Sequence, residues 1–511
     1  MYVVTGERMR QIDRYTMDQI GISETTLMES AGTAAFRQIK SIVKPESRTA
    51  VLIGAGNNGG DGFVITRHLK ERGAAVDVWI IPPLEKIQGT ARVHMDIYTS
   101  SGHSCLSFSD DPDELFRALP GYTCIIDAML GTGVEGPLRE PYDRIVKEVN
   151  GSRAEVIAID IPSGLPAEEN GSFDDAVKAD RTVVLQAPKE TAFLYPYADY
   201  YGEWTVADIG IPDKAFRACG ADCRMRMREE VRTSVPERKA DGHKGTYGKG
   251  LIIGGSEQMP GAVSLTTRAA LRTGTGLLTA ALPEDILHIV TGTAAEATCL
   301  PLRSDEGEIT SGSLAGLDLS PYDGIALGPG MGRRHPYSLS RLFDGFGGLV
   351  VIDADGLYHL ARELGDWRQK RKASVIITPH PGEMAMLTGK TIEEVEKNRF
   401  TLSREFATEY GMTVVLKGAY TIVSDPDGRQ WVNPTGNPAL AKGGSGDTLT
   451  GMILAAALQS NDPIEGVLNA VYVHGLAADQ LILERHEASV TASDVIEQFP
   501  FALASLKKQL Y

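Results

Sequence analysis

Late in the chain, Lys442-Gly443-Gly444-Ser445-Gly446-Asp447-Thr448-Leu449-Thr450-Gly451 runs directly into the apolar stretch Met452–Leu458. Glycines at the start of a helix aim unpaired backbone N–H groups at one point and so make a seat for an anion. An aspartate in that first turn cannot ligate the anion, because like charges repel. It can instead take the proton from a hydroxyl approaching a phosphate. Gly443, Gly444, Ser445 and Gly446 are therefore candidate phosphate contacts, with Asp447 as candidate base. Near the other end, Gly54-Ala55-Gly56-Asn57-Asn58-Gly59-Gly60-Asp61-Gly62 separates an apolar run from a helical pattern. It too can present successive N–H groups to an anion, and Asp61 is placed to cap the helix.

Two more aspartates end apolar runs. Asp127 leads into the loop Gly131-Thr132-Gly133-Val134-Glu135-Gly136-Pro137, and Asp160 into Ile161-Pro162-Ser163-Gly164. In open α/β sheets ligands sit beyond the carboxyl ends of strands, so these loops and the 54–62 loop are expected to converge on one crevice. Either aspartate fits a helix cap equally well.

The elements that must position these residues come in two series. A helical arm, Gly6–Gly32, is followed by strands expected near Ala50–Ile53, Val76–Ile81, Cys124–Ile126, Val156–Ile159 and Thr182–Leu185, with a helix over Phe63–Arg72. The charged segment Asp213–Lys244 breaks the pattern. A second series has strands near Leu251–Ile253, Leu277–Leu282, Gly324–Leu327, Leu349–Ile352, Val375–Ile377 and Val414–Leu416, and a helix from Gly446 to Gln459. Strand, glycine loop, helix, strand is the grammar of a parallel α/β sheet. The expected organisation is a domain over 1–214, a linker over 215–234 and a domain over 235–511.

Composition narrows the function. A net charge of −16 argues against nucleic acid as a partner and requires anionic ligands to be held by local backbone donors. The longest apolar run near the C-terminal end, Met452–Leu458, is far short of the roughly 20 residues of a membrane span. The N-terminus lacks a signal-peptide or transit pattern, and a cytoplasmic protein is expected. Five cysteines, an odd number, fit no complete disulfide set, and the single close pair, Cys219 and Cys223, has no second pair to complete a zinc site.

Several motifs carry a resemblance. Asn57–Gly62, Asp127-Ala128-Met129-Leu130-Gly131-Thr132-Gly133, Asp160–Gly164 and the arm Leu27–Gly32 are similar to the NAD(P)H-hydrate epimerase domain over roughly residues 1–215. His243–Gly248, Gly254-Gly255-Ser256, Pro260-Gly261-Ala262, Gly328–Gly332, Thr378–Glu383, Lys417–Thr421 and the Gly-Asp loop resemble the ADP/ATP-dependent NAD(P)H-hydrate dehydratases over about 235–505. The sequence departs from that pattern at Ala439-Leu440, where a Gly-Met pair is expected.

The resemblance implies a Rossmann-like domain that interconverts the R and S epimers at C6 of hydrated NADH and NADPH. A ribokinase-like domain would then dehydrate the S form with ADP or ATP. In the first, Asn57, Asn58, Gly59, Gly60, Asp61, Gly131–Pro137 (Val134 and Glu135 included) and Asp160 would contact substrate, while Asn58, Asp127 and Ser163 would hold a potassium ion. Asp160 is the candidate acid/base; Lys189 is a second candidate that equally fits a surface lysine. In the second, Ala262, Gly330, Gly332 and His380 would line the hydrated cofactor, and Lys417, Gly418, Ala419, Tyr420 and Thr421 would contact the nucleotide. His380, set between two prolines, also fits a loop-holding role. Magnesium is expected with the nucleotide, and a homo-oligomer is implied. The rival reading is a small-molecule hydroxymethyl kinase fused to a non-catalytic nucleotide-binding module.

Overall fold

A strand buried on both faces must be apolar throughout, and Thr49–Ile53 shows why. Val51 and Ile53 pack into one core and Ala50 and Leu52 into another, so helices cover the sheet on both sides. In the second series Leu251 and Ile253 face one core and Ile252 the other. The structure, a computed structural model, describes residues 1–44, 46–133 and 136–507. The chain divides into two compact units, Tyr2–Asp222 and one that begins at Cys223.

The first unit holds a seven-stranded parallel sheet. Its spatial order is Leu106–Ser107, Val76–Ile80, Thr49–Ile53, Cys124–Ala128, Glu155–Ile159, Arg181–Leu185, Glu203–Ala207. The chain leaves Thr49–Ile53 in one direction and returns to Cys124–Ala128 on its other side. The loops after these two strands therefore face each other across the switch point, where open sheets bind ligands.

The sheet of the second unit includes Lys249–Ile253 between Leu277–Pro283 and Gly324–Leu327. It continues in parallel through Leu349–Ile352, Ser374–Ile377 and Thr413–Leu416. Two antiparallel strands, Ile422–Ser424 and Gln430–Val432, extend it. Among the described residues no helix is long and apolar enough to cross a membrane.

Two expectations change. The helix expected over Phe63–Arg72 spans Asn57–Glu71, so the glycine-rich segment forms its first turns. Asp61 accordingly lies inside the helix and does not cap it; the capping position falls to Gly56. Glycine is required here by close approach: a Cβ on Gly59 would lie 2.1 Å from the Gly54 carbonyl oxygen, and one on Gly60 2.3 Å from Met28 Sδ. The stretch 215–234, expected as a linker, is instead ordered. It contains the end of helix Asp213–Ala218, strand Cys223–Met225 paired with Gln430–Val432, and helix Arg228–Ser234. Buried Arg226 donates to Ser234 Oγ, Glu465 Oε2 and Asn469 Oδ1 at 2.8, 2.5 and 3.0 Å. A three-residue strand with an exposed arginine at its centre is too short to show a period.

Candidate active sites

A cavity of about 470 Å³ opens at the switch point of the first unit. Asn57, Asn58, Asp61, Gly131, Thr132, Gly133, Asp160 and Lys189 all line it. Gly59 and Gly60 do not: they are the packing positions just described. Gly136 and Pro137 also lie off the lining, and Val134 and Glu135 fall outside the described residues.

Lys189 proves to be no surface lysine. Its side chain is 1% exposed and Nζ lies 2.5 Å from Asp160 Oδ1. Asp160 itself holds a left-handed backbone, φ +66°, at the end of its strand. The Leu185 N–H also donates to Asp160 Oδ1, at 3.1 Å. Burial raises the pKa of Asp61 far above the ordinary aspartate range, and the charges of Asp160 and Asp13 push the same way.

Beside the cavity, Asn58, Asp127 and Ser163 meet. Ser163 Oγ donates to Asp127 Oδ1 (2.6 Å), the Ser163 N–H donates to Asp127 Oδ2 (2.8 Å), and Asn58 Nδ2 donates to the Leu130 carbonyl (2.9 Å). Asn58 Oδ1 is buried without a hydrogen-bond partner among the described residues. Burial lifts Asp127 to about 6 against the hydrogen bonds from Ser163 and Met129. An unsatisfied amide oxygen, a buried carboxyl, a hydroxyl and a carbonyl together are a donor set for a hard monovalent cation.

In the second unit, helix Ser445–Gln459 starts after Gly444, whose φ of +90° allows the sharp entry. Lys442 Nζ donates to the Ala488 and Val490 carbonyls at 2.6 and 2.8 Å, anchoring the loop. Asp447 sits in the first turn, as expected. The Lys417 ammonium lies 2.8 Å from Asp353 Oδ1 and 3.8 Å from Glu383 Oε2, and Thr450 Oγ1 donates to Asp353 Oδ2 at 2.6 Å. A Cβ on Gly446 would lie 3.4 Å from Lys417 Nζ. The helix N-terminus and this ammonium thus face one point. Burial, then Asp353, raises Asp447 to about 6, with Lys417 opposing. Burial alone would depress Lys417, but Asp353 and Glu383 outweigh it and raise its pKa.

Ala262 and Gly330 are neighbours: a Cβ on Gly330 would lie 2.9 Å from the Ala262 Cβ. Gly332 instead packs on the Glu308 carboxyl, and its N–H donates to Asp355 Oδ2 at 3.1 Å. His380 holds its loop: Nδ1 accepts from the Gly382 and Glu383 N–H groups at 3.0 and 3.3 Å, while Glu383 Oε2 accepts from the His380 N–H at 2.8 Å. Buried Arg399 braces the 417–421 loop, donating to the carbonyls of Leu416, Lys417 and Tyr420 at 3.3, 3.2 and 3.0 Å. Around Ala439-Leu440, Asn437 Oδ1 accepts from the Ala439 N–H at 3.0 Å, and Asn437 Nδ2 donates to Asp479 Oδ1 at 2.9 Å.

Sequence reasoning missed Asp353 and gave Glu383 no role beyond its place in the Thr378–Glu383 motif. Asp353 directly follows a strand just as Asp160 does, so the signal was present. Asp13, Arg10 and Glu24 at the first cavity gave no local signal, since they lie on helices remote from any glycine loop.

Comparison with known proteins agrees with this division. A family profile described as NAD(P)H-hydrate dehydratase matches residues 250–500, and one described as YjeF-related protein N-terminus matches residues 24–191. The bifunctional NAD(P)H-hydrate repair enzyme Nnr of Moorella thermoacetica is 34% identical, over 100% of this chain and 98% of that protein. The chain belongs to the bifunctional NAD(P)H-hydrate repair enzyme family. A second family member, from Thermofilum pendens, is 35% identical over 99% of this chain and 97% of its own. Among solved structures, the ADP/ATP-dependent NAD(P)H-hydrate dehydratase of Bacillus subtilis, co-crystallized with ATP/Mg²⁺, is 36% identical with a TM-score of 0.50. It covers 56% of this chain and 99% of its own. In this repair-family chain the dehydratase match falls wholly in the ribokinase-like second unit and the YjeF-related match wholly in the Rossmann-like first.

Proposed function

We propose that the chain repairs hydrated NADH and NADPH, with epimerisation at C6 in the first unit and nucleotide-driven dehydration of the S form in the second. The observation that carries it is Asp447 in the first turn of a glycine-opened helix, facing the Lys417–Asp353–Glu383 cluster. Hydroxide is a poor leaving group and phosphate a good one. Asp447 removes the proton of the 6-hydroxyl, whose oxygen attacks the terminal phosphorus of ADP or ATP, releasing AMP or ADP. The Gly443–Gly446 N–H groups and Lys417 Nζ stabilise the charge in transit. The phosphate then leaves C6 with its bonding pair, a proton leaves C5, and the dihydronicotinamide is restored. A hydroxymethyl kinase would stop at the phosphorylated alcohol.

Magnesium accompanies the nucleotide in this reading and supplies charge neutralisation at its phosphates. Asn58, Asp127 and Ser163 would hold potassium, which fits the unpartnered Asn58 Oδ1, and the ion would fix the 129–133 loop electrostatically. A cytoplasmic location and a homo-oligomer, the latter carried by the family resemblance alone, complete the reading.

The test is incubation of the full chain with an R/S mixture of hydrated NADH, with ADP and ATP compared. Full recovery of absorbance near 340 nm with stoichiometric phosphate is expected. Recovery of the S share alone removes the epimerase, and a stable phosphorylated product favours the kinase. pH provides a second check. Asp447 works only ionised and its pKa is about 6, so kcat/KM for S dehydration falls on the acid side with a midpoint near that value. A flat profile down to pH 5 contradicts the assignment.

A further inference from the structure

We propose that Asp13 is a second catalytic carboxyl of the epimerase cavity, working opposite Asp160. The proposal rests on the epimerase reading of that cavity. Asp13 lies on helix Gly6–Tyr15, whose cavity face presents Met9, Arg10 and Asp13, followed by Met17 one turn beyond. Met9, Asp13 and Met17 recur every fourth residue and so form one stripe. A carboxyl flanked by two methionines on a half-buried helix face is costly to keep unless it has work to do.

Arg10, Glu24 and Lys189 at the same cavity are engaged. Arg10 donates to the Thr132 carbonyl at 3.1 Å and pairs with Glu7 at 2.9 Å. Glu24 accepts from Asn57 Nδ2 at 3.1 Å and from Thr90 Oγ1 at 2.7 Å. Lys189 is paired with Asp160. Asp61, from the facing helix, is buried, and that burial, with the charges of Asp160 and Asp13, raises its pKa well above the ordinary aspartate range. Asp13 is only partly buried and faces the cavity. Burial, with Asp160 and Glu24, lifts it to about 6 against the pull of Lys189.

Inversion at C6 by ring opening needs two proton carriers. Asp160 takes the 6-hydroxyl proton, the oxygen pair forms the aldehyde C=O, and the C6–N1 bond breaks with its pair passing to N1. Asp13 delivers a proton to N1. Rotation about C5–C6 turns the other aldehyde face inward. Closure reverses every transfer: N1 attacks C6, Asp13 recovers its proton and Asp160 returns one to oxygen. No proton or electron is gained or lost overall, and no co-reactant is needed.

The experiment follows R-to-S conversion of purified R hydrate by the full chain without nucleotide, resolving the epimers chromatographically from pH 5 to 9. Asp13→Asn is expected to lower kcat about 10²–10⁴-fold, the range of general acid catalysis, with KM little changed. The native chain is expected to lose kcat/KM above about pH 6, as Asp13 gives up its proton, and Asp13→Asn should abolish that decline. Asp13→Glu, which keeps a carboxyl, recovers part of the rate. An unchanged rate and pH profile in Asp13→Asn overturns the proposal. So does an equal loss in both variants expressed only in KM, which would mark Asp13 as a packing residue. If instead Asp160→Asn converts R hydrate normally, the cavity is not the epimerase site and the underlying reading falls, whatever Asp13 does.

Discussion

Asp447→Asn stops phosphate release and recovery of reduced cofactor from S hydrate. The amide keeps the shape of the helix turn but cannot accept a proton. The expected loss is therefore that of general base catalysis, about 10²–10⁴ in kcat or about 3–5 kcal/mol of barrier. Nucleotide binding should survive, because the 417–421 loop is braced by Arg399 and the anion seat is backbone. Single-turnover assays with saturating nucleotide, alongside a direct binding titration, separate the two effects. Undiminished turnover would refute the role of Asp447; lost nucleotide affinity would mean that it holds the loop.

The second large effect is expected in Asp160→Asn. R-to-S conversion should fall by a similar factor, about 10²–10⁴, while S dehydration in the other unit stays intact. The substitution is a clean one for the backbone, because asparagine tolerates the left-handed φ of +66° that position 160 adopts. It is less clean for Lys189, which loses its partner at 2.5 Å while remaining 1% exposed. Breaking such a pair destabilises by about 3–5 kcal/mol. A paired Asp160→Asn/Lys189→Met variant, which removes both charges, serves as the control. Epimerisation restored in that double variant would show that Asp160 only shields the lysine.

The strands legible in the sequence are those buried on both faces, such as Gly324–Leu327 and Leu349–Ile352, whose bounds match expectation residue for residue. The strands Leu106–Ser107 and Cys223–Met225 have two and three residues, too few to carry a period. The start of helix Asn57–Glu71 was hidden because glycine disfavours helix by about 1 kcal/mol relative to alanine. Here close packing on Gly54 and Met28 decides instead. Cavity-lining residues next to glycine loops, such as Asn57, Thr132 and Asp160, were legible; Asp13 and Glu24, brought in on helices, were not. Lys189 fitted a second acid/base candidate and a surface lysine equally until its partner was known, and Asp13 is separated from Asp160 by most of a domain of sequence.

The raised pKa of Asp447 has a thermodynamic side. An unfolded aspartate ionises near 3.8 and this one near 6. The native state therefore holds a proton across that window that the unfolded chain has lost, and its relative stability declines as pH rises through it. Above pH 6 the deficit is constant, on the order of 2–3 kcal/mol. Asp13, shifted in the same sense, adds to it. At neutral pH the chain is thus less robust than a version of itself with neutral side chains at those positions. Selection for thermal endurance alone would erode the very carboxyls on which repair depends.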